Sequence, residues 1–444
     1  MADATIAAAG LPAAPALDAP AGRAADAARL LFALAAIGSV TSPPLANIAA
    51  GLGLIAFCAV PQAWQRLRAA AVQPLGRGVL VFLATMALAM LWADAPWDRR
   101  LAAWWSWRPL ILMLVGTTLF TAPRWRDRFC WILVGALAVA AVASFILRLM
   151  PNPVLIDDPG ILLRNHTTQG MAFVAGTALA VLLAWGRPAG RRQRLMLYAA
   201  LLLFFANIAL IATGRSAHVA LLVAAAIAGA AVLHGRQRWW VLVLIPLAGA
   251  LTLASSPMVR ERFTQAYGEL GTVQTSPSET SMGLRLIIWP TTLDLIAERP
   301  VLGYGVGGFA PAYARLIHQR YSDWRAAEAK DTHNQYLHVM VEAGIPGVLA
   351  FLYFLSGVLR QRAPPPYRGV GLALFAAWLT TSLLNSHFQT FAEAHLIGLV
   401  LGALLAAAPA SAAAAAPVDA QLPTQLPTQL PTQATGSASS SAAA

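Results

Sequence analysis

Charge is what this 444-residue sequence has least of: 11% of its residues are Asp, Glu, Lys or Arg, where a soluble chain carries about 25%. Together with 58% apolar residues and a mean hydropathy of +0.62, that shortage excludes a cytosolic enzyme, a disordered hub and a nucleic-acid-binding domain. Cysteine is nearly missing. Cys58 and Cys130 lie in or beside apolar runs and form neither a metal spacing nor a disulfide framework. Lysine is missing apart from Lys330; the rest of the 31 basic residues are Arg. The formal charge of +12 would suit a nucleic acid. Its members, however, fall one cluster per hydrophobic segment, which suits membrane topology better. The start of the chain is Ala-rich with Asp3, Asp18 and Asp26. It lacks the basic opening and short apolar core of a cleaved signal peptide, so insertion is expected to rely on the first transmembrane helix.

What the sequence does have is long apolar runs. A bilayer core about 30 Å thick takes about 20 residues of helix. Twelve runs qualify as candidate spans: 27–42, 44–60, 78–93, 104–121, 129–149, 168–186, 195–213, 214–233, 239–256, 334–359, 369–386 and 392–409. The first two are short and flank Ser42-Pro43-Pro44, so they also read as one broken hairpin. Lipid leaves unpaired backbone unsatisfied, so these runs are expected to be helices. The fold class is therefore an all-α polytopic membrane protein with about twelve transmembrane helices.

Arginine sets the orientation. The clusters Arg66/Arg68/Arg77, Arg124/Arg126/Arg128, Arg187/Arg191/Arg192/Arg194, Arg236/Arg238 and Arg360/Arg362/Arg368 occur at every second connection. The positive-inside rule puts them in the cytoplasm, with both termini, where they can meet anionic lipid headgroups. The opposite, outer side carries the connections 94–103, 150–167, 213–215 and 387–391 and one long loop, 257–333. Loops of that length are functional or disordered. Apolar and aromatic residues at helical spacing predict helices within it, packed over the membrane domain. The organisation expected is a disordered cytoplasmic start (1–26), nine spans (27–256), the large periplasmic loop (257–333), three spans (334–409) and a disordered cytoplasmic tail (410–444). That tail is Ala/Ser-rich with three Leu-Pro-Thr-Gln copies, a composition that cannot bury a core.

Polar residues of chemical interest collect on the outer side. Where the long loop re-enters the membrane, the chain reads Asp331-Thr332-His333-Asn334-Gln335-Tyr336-Leu337-His338, then Glu342, Gly344, Pro346 and Gly347. Asp331 or Thr332 can cap the helix here. His338 and Glu342 are four apart and share a face, so the carboxylate can orient the imidazole and raise its basicity. A polar interhelical contact is the plainer alternative. In Thr213-Gly214-Arg215-Ser216-Ala217-His218, Arg215 heads an apolar helix. There a guanidinium needs an aqueous cavity or an anion, unless it snorkels to the interface. Arg164, in Leu163-Arg164-Asn165-His166, is a further phosphate candidate; an ordinary polar helix cap is the alternative for this stretch.

In the long loop, Arg285 lies four residues before Trp289, and Gly303-Tyr304-Gly305-Val306-Gly307-Gly308 follows. No β-strand precedes these glycines, so a dinucleotide fingerprint is rejected. A close-approach turn fits, with backbone amides able to meet sugar or phosphate; a structural loop hinge is the alternative. Trp92, Trp97, Trp104, Trp105 and Trp107 read as an aromatic interface belt.

At these residues the chain resembles the O-antigen ligase/polymerase superfamily of bacterial inner-membrane proteins. The pattern His, Asn and, eleven residues after the His, Gly is met by His333, Asn334 and Gly344; Arg285 to Trp289 and Pro300 to Gly307 also look like this family. So does Arg215 after a Thr-Gly turn, although Val219 stands where the family has Leu. The resemblance implies a GT-C-like glycosyltransferase architecture and a lipid-linked sugar donor. In the ligase branch, O-antigen glycan passes from undecaprenyl pyrophosphate to lipid A–core. Sister branches extend the glycan on its carrier or transfer it to protein hydroxyls. The ligase is the first expectation, at the periplasmic face of a Gram-negative inner membrane.

The chemistry needs a base for the acceptor hydroxyl and positive charge for the departing diphosphate. The family pattern selects His333 as base; the Glu342 pairing selects His338. Arg215 is the preferred pyrophosphate ligand, with Arg164 and Arg285 in support and Asn334, Glu342 and Trp289 as further substrate contacts. The outer side has no Asp-x-Asp, and Asp157 and Asp158 are adjacent. The reaction is therefore expected to need no metal or other cofactor and to invert the anomeric centre. A lipid-linked-glycan transporter is the distant alternative, but no repeated half is visible and the polar residues avoid mid-membrane.

Overall fold

The computed structural model describes residues 20–150, 159–212, 214–241, 243, 245, 247, 264 and 281–408. Its helices are α1 (Arg23–Thr41), α2 (Pro43–Cys58), α3 (Ala63–Ala71), α4 (Pro74–Ala89), α5 (Trp97–Trp105), α6 (Pro109–Leu119), α7 (Pro123–Leu149), α8 (His166–Trp185), α9 (Arg191–Leu210) and α10 (Arg215–Val232). After these come α11 (Ser281–Glu298), α12 (Phe309–Arg320), a 3-10 turn (Trp324–Ala326), α13 (Gln335–Arg360), α14 (Tyr367–Thr381) and α15 (Phe391–Leu404). Among the described residues there is no strand. Proline opens α2, α4, α6 and α7, where its missing N–H has no intrahelical partner to lose and its fixed φ suits the first turn.

Five helices, α1, α7, α8, α9 and α13, are long and apolar enough to cross a membrane; counting the bent pair α2–α3, which turns by 107°, gives six. A helix lies at or near each expected span except 239–256, which falls largely outside the described residues, but α4, α10 and α15 are shorter apolar helices and α6 and α14, with 11 and 15 residues, are also below spanning length, so five or six of the twelve expected spans have the length to cross. The expected span 104–121 is corrected. A break before Pro109 divides it into the end of α5 and the whole of α6, because proline clashes with the preceding turn. Trp107, read as a belt residue, is fully buried and meets Phe82 edge-on at 4.6 Å. The expected disordered start is also shortened, since α1 begins at Arg23. The expectations for residues 1–19, for the tail 410–444, for Asp157 and Asp158 and for most of 257–280 fall outside the described residues.

The core sits around α8, which is buried on nearly every residue from Thr168 to Ala184. A helix apolar on all sides belongs inside a bundle. Small residues let backbones touch around it. A Cβ on Gly116 of α6 would lie 3.0 Å from the Cα of Gly402 in α15, the close approach used where helices pack in lipid. The segment from 281 has a small core of its own, where Ile288, Leu295, Phe309, Tyr313 and Ile317 meet Val341 of α13.

Arg126, read from the sequence as a topology signal, also has an internal task. Fully buried, it donates from Nε to the Phe120 carbonyl at 2.7 Å and from Nη2 to the Ala406 and Ala407 carbonyls at 2.6 and 2.9 Å. Arg29 donates likewise to the Leu119 carbonyl at 2.9 Å. Both satisfy carbonyls that helix ends leave without partners.

Candidate active site

Helix α13 is capped by Asn334, not by Asp331 or Thr332. The Asn334 Oδ1 accepts the N–H groups of Tyr336 and Leu337 at 3.0 and 3.1 Å, and its Nδ2 donates to the Leu383 carbonyl at 3.0 Å. The Asn334 side chain, expected among the substrate contacts, serves as the helix cap. Directly before it, His333 takes φ of 50°, a left-handed conformation uncommon outside glycine and tolerated by His. Asp331 holds that turn: its Oδ1 accepts the His333 N–H at 2.8 Å and the Ser386 hydroxyl at 2.5 Å. Gln335 donates its N–H to the Ser382 carbonyl at 2.9 Å and accepts the Phe388 N–H on Oε1 at 3.0 Å. The whole turn 331–335 is thereby fastened to the connection 382–390 between α14 and α15.

The same connection receives Arg285, and Arg164 stands at its far end. Arg285 donates from Nε to the Leu384 carbonyl at 3.0 Å and from Nη2 to the Asn385 side-chain oxygen at 3.2 Å. One turn further along α11, Trp289 donates its indole N–H to the Thr332 carbonyl at 3.1 Å, so the expected shared face exists and lies across both segments. Arg164 stands at φ of 60° with its guanidinium 5.4 Å over the Phe391 ring. Next to it, Asn165 caps α8 through the Thr168 N–H, and the Thr168 hydroxyl donates to Glu393 at 2.7 Å. Arg215 is the first residue of α10; its side chain lies outside the described part. Its neighbour Gly214 lies against the start of α8, where an added Cβ would be 3.8 Å from the His166 carbonyl oxygen.

His338 and Glu342 do pair, Nε2 to Oε2 at 3.4 Å, but both side chains are buried, at 7% and 3% exposure. The His338 ring meets Phe309 at 5.8 Å, and Glu342 Oε1 accepts the Gly307 N–H at 2.8 Å. This pair faces the glycine-rich loop, whereas His333 is half-buried on the turn in front of α13. The close approach expected of the glycines is real: Gly305 has φ of 79°, and a Cβ there would fall 2.3 Å from the Ala93 Cα. The ligand-binding amides expected in the same loop are corrected. Tyr304, Gly305 and Val306 donate their N–H groups to the carbonyls of Val341, Glu342 and Ala89 at 2.8, 2.8 and 3.1 Å. These amides fasten the loop to α13 and α4.

No candidate residue was read from 382–390 or the start of α15, where Ser382, Asn385, Ser386, His387, Gln389 and Glu393 interrupt an apolar stretch. That density of polar residues beside a span was the available signal. His387 is buried, and neither ring nitrogen has a hydrogen-bond partner among the described residues. Burial pushes its pKa down to about 4; Asp331 pulls the other way and the Arg285 charge adds to the depression.

A bundle of this kind, with five or six spanning-length helices and its polar residues gathered where helices begin, is a multi-pass membrane protein. Residues 199–352 match the family model described as O-antigen ligase. That segment, which holds Arg215, Arg285, His333 and His338, is similar to the O-antigen ligase family over about a third of the chain. A relative from Haemophilus influenzae, described as an uncharacterized protein, is 25% identical over 117 residues, which are 26% of this chain and 29% of the relative. The chain therefore matches less than a third of that relative's length.

Proposed function

We propose that this protein moves O-antigen glycan from undecaprenyl pyrophosphate to a sugar hydroxyl of lipid A–core, at the periplasmic face of the inner membrane. His333 takes the proton of the acceptor hydroxyl. The hydroxyl oxygen forms a bond to the anomeric carbon as that carbon's bond to the diphosphate oxygen breaks, and attack from the opposite face inverts the centre. The lipid diphosphate departs with its charge offset by Arg164, Arg215 and Arg285.

The observation that carries this reading is the convergence on 382–391. The turn bearing His333 is tied to Ser386, Arg285 is tied to Leu384 and Asn385, and Arg164 stacks on Phe391. Three groups that are far apart in sequence are thereby held around one connection, which is what a base and a diphosphate clamp acting on the same donor require. Arg285 is fixed by two hydrogen bonds, so its charge is pre-oriented.

The test is reconstitution of the purified full chain with undecaprenyl-diphosphate-linked glycan and lipid A–core. Glycan-capped lipid A–core without any ion gradient is expected. Its absence, with intact donor and folded protein, rejects the reading. In cells, loss of every capped species on deletion of the gene agrees with a ligase, whereas survival of species bearing a single repeat unit points to the polymerase branch.

A further inference from the structure

Helix α5 has no buried residue, and yet it is held firmly at both ends. At its start, Arg100 donates to the Ala95 and Met90 carbonyls at 2.6 and 2.9 Å, and Gly307 comes so near that a Cβ there would lie 3.1 Å from the Arg100 Cα. Gly307 is the residue whose amide Glu342 accepts, so α5 is seated on the loop that α13 braces. Past its end, the Ser106 hydroxyl oxygen accepts Gln389 Nε2 at 3.4 Å, which joins α5 to the connection that gathers the candidate site.

One face of this helix is apolar and open. Trp97, Leu101 and Trp105 are exposed at 54%, 51% and 54%. Their four-residue spacing stacks them in a stripe about 12 Å long at about 1.5 Å per residue. The stripe runs into Arg108, whose guanidinium lies 5.7 Å over the Trp105 ring and 5.4 Å over the Phe391 ring. Arg164 lies 5.4 Å over that same Phe391 ring. Arg108 donates to the Trp105 carbonyl at 3.1 Å and to the Asn47 side chain at 3.2 Å. Neither Arg108 nor Arg164 has a carboxylate within ion-pair distance among the described residues; Glu393 is buried, and its Oε1 accepts the Thr168 hydroxyl.

Two guanidiniums sharing one aromatic ring suit an anion with two phosphoryl groups, since each fork takes one set of phosphate oxygens. A phospholipid, with a single phosphodiester, fills one fork and leaves the other charge without a partner. An apolar stripe ending at a cation pair therefore matches a long-chain lipid diphosphate. We propose that the Trp97–Leu101–Trp105 stripe is the track on which the donor's polyprenyl chain docks, with Arg108 meeting its diphosphate beside Arg164. This inference rests on the reading of the protein as a user of a lipid-linked donor, and it adds where that lipid lies and which residue outside the family-matched segment recognises it.

The experiment uses the unaltered full chain in nanodiscs and an undecaprenyl diphosphate carrying a diazirine in its polyprenyl tail. After irradiation, peptide mass spectrometry is expected to find the label within residues 97–105. About tenfold excess of unlabelled undecaprenyl diphosphate should compete it away, and the same excess of phosphatidylglycerol should not. Arg108→Gln is expected to weaken the labelling by about tenfold, the effect of losing roughly 1.4 kcal/mol. Labelling elsewhere on a chain that still transfers glycan overturns the track and leaves the proposed function standing. Equal competition by phosphatidylglycerol makes the stripe an ordinary lipid surface and overturns it as well, as does a cross-linked pair of chains at α5. No donor-dependent label anywhere, together with no transfer, overturns both.

Discussion

Ser386 donates its hydroxyl to Asp331 across 55 residues of sequence, and the same carboxylate oxygen accepts the backbone N–H of His333. One side chain thus sets the left-handed turn that presents His333 and anchors it to the connection between α14 and α15. Asp331→Ala is expected to lower the transfer rate by about 10- to 100-fold while the protein still elutes as a folded species. Ser386→Ala, which leaves the His333 N–H bond in place, should lower it less. A Ser386→Ala loss as large as that of Asp331→Ala would mean that the hydroxyl contributes beyond holding the carboxylate.

The two histidines separate by exposure. His333→Ala should remove transfer by about 10²- to 10⁴-fold, the usual contribution of a general base, with an unchanged melting temperature. His338→Ala should instead lower the melting temperature, because it strips the buried Glu342 of the imidazole beside it; leaving a buried polar group unpaired costs about 1–3 kcal/mol. Measured transfer per folded molecule should stay within about threefold for this variant. The reverse outcome would move the base to His338.

The arginines are expected to act as forks and not as bare charges. Arg215→Ala and Arg285→Ala should each reduce transfer by about 10²- to 10³-fold without loss of membrane insertion. Arg285→Lys should not rescue, since one ammonium cannot reproduce the paired bonds to Leu384 and Asn385. Wild-type levels of capped lipopolysaccharide with Arg215→Ala would reject its part in the clamp.

Glycine 305 carries a structural prediction. Gly305→Ala meets both a positive φ and the Ala93 backbone, neither of which can yield cheaply, so a loss of about 2–3 kcal/mol or failure to fold is expected. Gly135→Ala in α7, where an added Cβ meets nothing within 4 Å, should be neutral or slightly stabilising through helix propensity. Comparing the monodisperse fraction and melting temperature of the two variants checks the claim that the loop is seated on α4 and α13.

His387 predicts acid sensitivity. Its pKa in the folded protein is about 4, below the unfolded value near 6.5. The unfolded chain therefore binds the proton first, and stability is lost as pH falls from about 6.5 toward about 4. His387→Gln should flatten the melting-temperature profile across that window by removing a slope of up to about 1.4 kcal/mol per pH unit. Parallel profiles for the two proteins would show that this imidazole does not titrate on unfolding.

The helices were legible in the sequence because lipid imposes a rule that needs no tertiary knowledge: apolar runs must satisfy their own backbone. The break at Pro109 was not read from hydropathy, because Trp104, Trp105 and Trp107 carry the apolar character up to it across Ser106 and Arg108. His333, Arg285 and Arg164 were legible as residue types at helix entries. The supporting connection was not, because Ser386 and Asn385 acquire meaning through Asp331 and Arg285, 55 and 100 residues away in the chain.

Sequence by itself determined an all-helical, low-charge chain with candidate bases and guanidiniums at one set of helix ends, since hydropathy and residue chemistry are local properties. Tertiary structure alone decided which side chains are spent on folding. Asn334 became a cap, the glycine-loop amides became ties between α4 and α13, and His338 was buried against Phe309. Which neighbours a polar group meets, and whether they bury it or hold it at an opening, is set by the packing of helices distant in the chain.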